Sequence, residues 1–164
     1  MRLWRIENWS NHPVAAQREV LQDLVTAAQY TEFGRKYNFS KLFTLKEFKI
    51  NVPIHEYDDI RPYILRMMDG EENILWNTPV TWFAKSSGTT SDKSKFIPIS
   101  EESLYDNHFK ASKDLLSNYY KNFPSSDLLT GKGLVIGGSH QISKVNDDIQ
   151  YGDLSEIGRA SCRE

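Results

Sequence analysis

The densest chemistry in the chain lies in the nineteen residues from Trp82 to Ser100, WFAKSSGTTSDKSKFIPIS. Six consecutive small residues, Ser86 to Ser91, sit between an apolar run and the lysines at 93 and 95. Such a loop suits a polyphosphate. Gly88 lets the backbone approach phosphate oxygens without a Cβ in the way, and successive N–H groups form an anion-binding concavity. The hydroxyls of Ser86, Ser87, Thr89 and Thr90 add donors that rotate toward a phosphate or help hold its metal ion. Lys95, ahead of Lys93, supplies a point charge.

Standard nucleotide loops do not account for this segment. A Walker A loop needs G-x-x-x-x-G-K-S/T, and counting from Gly88 the second glycine falls on Lys93. The dinucleotide fingerprint fails too, because Gly131 and Gly133 lack a third glycine and precede an apolar run instead of following one. Composition alone leaves a solvated polar connection open as the alternative. A serine hydrolase is a rival from another reaction class, since Ser87 and Ser139 are both near glycines, but neither lies in G-x-S-x-G. His12, His55, His108 and His140 share no metal-ligand spacing, so no metal site is expected. His140 follows Gly138-Ser139, where α/β proteins place ligands, but a structural loop histidine is the better reading. Glu56, Asp58 and Asp59 read as capping and polarising a following helix, and Trp76 and Trp82 as core anchors.

Elements that would position the loop are readable on both sides of it. Asn11 to Tyr30 has helical spacing, with Ser10 or Asn11 as cap and Pro13 in the first turn. Gly34 is expected to stop that pattern. Thr44-Leu45-Lys46-Glu47 is a capping box opening a short helix that ends before Pro53. A third helix is expected over Asp58 to Asp69, with Ile60, Ile64, Leu65 and Met68 inward, Pro62 in its first turns and Gly70 just past its end. From Ile74 the chain reads as extended, leading into the loop. Ser100-Glu101-Glu102 caps a long helix to about Tyr120, with Leu104, Phe109, Leu115, Leu116 and Tyr119 available for burial. Leu134-Val135-Ile136 reads as a buried strand ended by Gly137-Gly138. Helices first and then alternating strand and helix imply the start of an α/β domain, with one or two short strands and no full sheet.

The 164 residues are 39% hydrophobic and 12% aromatic, which excludes intrinsic disorder. A net charge of −2 disfavours nucleic acid and anionic membrane surfaces as partners. No apolar run is long enough to span a bilayer, and Glu7, Asn8 and Trp9 stand where a signal peptide needs its apolar core. A single cysteine, Cys162, makes no internal bridge and fits a reducing, cytoplasmic setting. The last nine residues, EIGRASCRE, have no periodicity and resemble the in-frame translation of a sequencing adapter. On that reading residues 1–155 are the native N-terminal portion of something longer, and 156–164 are not native. The portion alone is expected to be inactive and to expose apolar surface.

The string SSGTTSDKSKFIPIS resembles the phosphate-binding motif of the acyl-adenylate-forming superfamily. It is most similar to that of the auxin-responsive-promoter family of acyl acid amido synthetases. Thr31-Glu32-Phe33-Gly34, Val52-Pro53-Ile54, Arg61-Pro62-Tyr63, Met67-Met68-Asp69-Gly70-Glu71, Gly137-Gly138-Ser139-His140 and Tyr151-Gly152-Asp153-Leu154-Ser155 agree with it. The resemblance implies the N-terminal part of an adenylate-forming large domain with a helical N-terminal region. It implies ATP and Mg²⁺ as cofactors, and a small carboxylic acid and an amino acid or amine as partners. The acid would be activated as an acyl-adenylate and then captured as an amide. Carried over by position, Ser86, Ser87, Gly88, Thr89 and Thr90 would hold the β- and γ-phosphates, and Lys95 matches the motif's basic residue, the catalytic position. Ser91 departs from the superfamily, where a glycine usually follows the Thr pair. The alternative is a non-catalytic nucleotide-binding or protein-interaction module.

Overall fold

The computed structural model describes residues 2–86, 95–131 and 142–152. Among them are six α-helices and a small mixed sheet, the α/β class expected: α1 (Arg2–Asn11), α2 (Pro13–Ala28), α3 (Glu32–Lys36), α4 (Leu45–Asn51), α5 (Tyr57–Met68) and α6 (Lys110–Asn122). The strands are β1 (Trp82–Lys85), β2 (Phe96–Ile99), β3 (Ser143–Lys144) and β4 (Gln150–Gly152), in the order β2-β1-β4-β3. The expectation of one or two strands without a sheet is thereby corrected. Strands of two to four residues carry too little alternation to register as a pattern, and pairing alone defines them. The expected strand at 134–136 lies outside the described residues.

β1 is antiparallel to β2 and parallel to β4. Ser86 N–H donates to the Lys95 carbonyl at 2.9 Å, which makes those two a hydrogen-bonded pair. Alternation along an antiparallel ladder then turns the backbone nitrogens of Phe96 and Pro98, opposite Lys85 and Phe83, away from β1. Proline is tolerated there because no ladder bond is asked of it.

One core lies between α5 and the sheet: Ile64, Met67, Met68, Ile74, Val80, Ile149 and the fully buried Phe83. Ile64, Met67 and Met68 follow helical i, i+3, i+4 spacing, so Met67 takes the inward place expected of Leu65, which is 39% exposed. Past Met68, Gly70 adopts φ +95°. Its N–H donates to the Met67 carbonyl at 3.1 Å, and Glu71 N–H donates to the Arg66 carbonyl at 3.0 Å, the paired bonds of a Schellman terminus. The Arg66 guanidinium then holds both Glu71 and Glu32, at 2.7 and 2.8 Å. Its hydrogen bonds keep both carboxyls below the ordinary glutamate range.

A second core joins Val25 and Ala28 of α2 to Phe39 and Leu42. Here Gly34 is not the stop expected of it. It lies buried inside α3, and a Cβ on it would come within 2.0 Å of the Ala28 carbonyl oxygen. The bare α-carbon is what lets α3 fold back against the end of α2. The fully buried Thr31 fixes that turn: its hydroxyl donates to the Ala28 carbonyl at 2.7 Å and accepts from Gly34 N–H at 3.0 Å.

The capping box at Thr44 and Glu47 forms as expected, with both reciprocal bonds in place. α2 does begin at Pro13, but its cap position is His12, without a side-chain bond. Ser10 and Asn11 are taken up in α1, a helix the mixed polar sequence did not announce. α1 lies against α6, tied by ion pairs from Arg2 to Asp114 and from Lys121 to Glu7. Ser100 caps the next helical stretch by accepting from Ser103 N–H at 3.1 Å. That stretch is a π-helical Ser103–Phe109 followed by α6, not one regular helix, and none of its apolar side chains is buried. Leu115 is 72% exposed.

Candidate functional site

Because β1 and β4 are parallel, their carboxyl ends face the same edge of the sheet, and the Ser86–Lys95 segment leaves from that edge. Open α/β sheets bind ligands at such edges. The two ends of the loop are tied to each other. Besides the Ser86 N–H bond, Lys95 N–H donates to the Ser86 Oγ at 3.3 Å, and the Ser86 hydroxyl proton is left for a further acceptor. The β1–β2 pair therefore delivers both ends of the small-residue loop to one point.

α5 braces this point. Tyr57, its first residue, puts its hydroxyl where Phe96 N–H donates to it at 2.8 Å, and it returns a longer bond of 3.4 Å to the Phe96 carbonyl. Asp59 secures that helix start by accepting from Glu56 N–H at 2.9 Å, the capping role expected of this acidic cluster. The Lys95 ammonium rests 5.2 Å from the centre of the Tyr57 ring. On the other side, the Lys85 ammonium lies 5.8 Å from the centre of the Tyr151 ring, and Tyr151 meets Phe96 edge-on at 5.2 Å. Phe96 thus links Tyr57, through its backbone, and Tyr151, through its ring, into one row with an ammonium at each end.

Of the residues singled out in the sequence, Ser86 and Lys95 come together at the loop mouth. Ser87, Gly88, Thr89 and Thr90 lie outside the described residues, as do Ser91, Lys93, Ser139 and His140. Sequence reasoning missed Lys85, Tyr57 and Tyr151. Lys85 carried a signal, a charge closing an apolar strand directly before the small residues, whereas Tyr57 lies 39 positions from Phe96 and carried none.

His55 has a structural place: its Nε2 lies 2.8 Å from the Tyr37 hydroxyl, and its ring packs on Phe33. Trp76 is the half-buried anchor expected, with its indole N–H donating to Glu102 at 3.2 Å. Glu102 is held below the ordinary range, first by a backbone N–H bond and then by Ser100, Trp76 and Thr78. Two clefts, of about 800 and 390 Å³, open at the far end of β1 and share no lining residue with the loop mouth. Among the described residues no three His, Cys, Asp or Glu side chains gather as metal ligands. No described helix is long and apolar enough to cross a membrane.

This sequence and geometry have known counterparts. The family model described as the GH3 family N-terminal domain matches residues 2–161. Indole-3-acetic acid-amido synthetase GH3.2 of Arabidopsis thaliana is 34% identical over 100 residues, which is 60% of this chain and 18% of that protein. Jasmonoyl–L-amino acid synthetase JAR4 of Nicotiana attenuata is 34% identical over 127 residues, 76% of this chain and 21% of that protein. The chain therefore spans about a fifth of the length of the curated relatives it matches. The solved structure of the GH3.15 acyl acid amido synthetase superposes with a TM-score of 0.84 at 26% identity, covering 97% of this chain and 28% of that one. A second GH3.15 structure, in complex with 2,4-DB, gives 0.80 at 27% identity, covering 99% of this chain and 28% of that one.

Proposed function

The chain belongs to the GH3 family, and from that premise we propose that the protein carrying it is an ATP-dependent acyl acid amido synthetase of the cytoplasm. Its relatives are named as an indole-3-acetic acid-amido synthetase and a jasmonoyl–L-amino acid synthetase, and the family likeness supports the same amide-forming chemistry here. In the first step a carboxylate oxygen of a small acid attacks the α-phosphorus of ATP. Pyrophosphate leaves, and an acyl-adenylate remains. In the second step the amine of an amino acid attacks the activated carbonyl; AMP leaves and an amide bond is made.

The observation that carries this reading is the closed mouth of the Ser86–Lys95 segment at the carboxyl edge of the parallel pair. There Ser86 offers a hydroxyl proton and Lys95 an ammonium to phosphate oxygens. Ser87, Gly88, Thr89 and Thr90 would complete the cradle for the β- and γ-phosphates. The donor set suits a polyphosphate, since hydroxyls and ammoniums meet the charge that grows on departing pyrophosphate. Mg²⁺, when bound, would supply further neutralisation of that charge; the loop hydroxyls would be its protein ligands.

Carboxylate-dependent exchange of pyrophosphate into ATP tests the proposal in the full-length protein. Lys95→Ala or Gly88→Val is expected to lower the exchange rate by roughly a hundredfold or more, the usual cost of losing a charge-stabilising donor. Wild-type exchange in both variants would refute it.

A further inference from the structure

We infer that Lys85 is a second phosphate-binding cation of this site, reaching the triphosphate from the β1 side while Lys95 reaches it from the β2 side. The inference rests on the reading of Ser86–Lys95 as a phosphate loop. Lys85 directly precedes Ser86, at the carboxyl end of β1 beside the parallel β4. It stands opposite Phe96 and two residues from Phe83, so its side chain shares the face on which the aromatic row lies.

The two lysines are held in matching ways. Lys95 lies over Tyr57, whose hydroxyl is bonded to the Phe96 backbone, and Lys85 lies over Tyr151, whose ring abuts the Phe96 ring. Both tyrosines thereby contact Phe96 of β2, Tyr57 at its backbone and Tyr151 at its ring. Neither has a carboxylate within ion-pair distance among the described residues. An exposed ammonium on a tyrosine face is steadied by a weak attraction. It gives up little when an anion arrives, and the rotamer freedom it would otherwise lose on binding is already reduced. A triphosphate remains anionic even with one divalent cation bound, and since Asp92 and Lys93 of the loop cancel in formal charge, positive charge beyond that of Lys95 is called for. A second ammonium one residue before the loop supplies it.

Titration calorimetry of the full-length protein with inorganic tripolyphosphate, adenosine and a small aryl carboxylate tests this. Lys85→Met is expected to weaken tripolyphosphate binding about tenfold at low salt, with adenosine and the carboxylate unchanged. Lys85→Arg is expected to stay within about threefold of wild type, since the charge is kept. Wild-type tripolyphosphate affinity in Lys85→Met beside a loss in Lys95→Met would overturn the role of Lys85 and leave the loop reading standing. Loss of carboxylate binding alone in Lys85→Met would overturn it too, assigning the residue to the acid. A wild-type protein that does not bind tripolyphosphate would overturn both readings.

Discussion

Replacing Tyr57 by Phe removes one oxygen and keeps the ring, so it isolates the two bonds that join α5 to the start of β2. The Phe96 N–H contact at 2.8 Å is a full hydrogen bond, and the return contact to the carbonyl at 3.4 Å is a marginal one. The Lys95 ammonium lies over the ring, not the hydroxyl, and loses nothing directly. A net hydrogen bond is worth about 1 kcal/mol, and a donor left unsatisfied costs about 1–3 kcal/mol. Tyr57 and Phe96 are only half-buried, so water replaces part of what is removed, and the expected loss is about 1 kcal/mol. At roughly 1.4 kcal/mol per tenfold, that corresponds to about a fivefold change in the local opening equilibrium. Amide hydrogen exchange reads it directly. Protection at the Phe96 amide is expected to fall about fivefold, while the buried Ile64 and Met67 amides of α5 keep theirs. Unchanged protection at Phe96 would show that the hydroxyl does not brace the strand, and the account of how α5 positions the loop would fail.

Gly34→Ala forces a methyl against the Ala28 carbonyl with backbone on both sides, and a loss of about 3 kcal/mol is expected; a denaturation midpoint close to wild type would contradict the packing described. Glu32, Glu71 and Glu102 bind protons more weakly in the fold than in the unfolded chain, whose glutamates titrate near 4.5. Their contribution is therefore complete above about pH 5 and is lost as pH falls through the lowered folded values. Arg66→Met is expected to flatten that acid-side loss when unfolding midpoints at neutral pH and near pH 3.5 are compared, and a slope identical to wild type would remove the Arg66 clamp from the account.

What could be seen in the sequence divides along a physical line. Features written in neighbouring residues were legible: the Thr44–Glu47 box, the Ser100 cap, Pro13 at a helix start and Gly70 just past α5. Features that depend on partners distant in the chain were not. Gly34 looked like a terminator because a glycine's neighbours do not reveal that another helix end will press on it. α1 was invisible because two cross-helix ion pairs, not an apolar stripe, attach it. β3 and β4 are too short to show alternation. At the candidate site, composition and family resemblance pointed to the small-residue loop and Lys95, of which Ser86 and Lys95 lie among the described residues. The Tyr57–Phe96–Tyr151 row was assembled only by folding, and Lys85 gained meaning from the ring beneath it.

The outer border of β2 has a consequence beyond the site. At its two outward-facing positions one nitrogen is claimed by Tyr57 and the other, in Pro98, has no hydrogen. A stray polypeptide approaching along that side finds no free donor with which to begin a ladder, so this flank resists edge-to-edge aggregation without a charged guard residue.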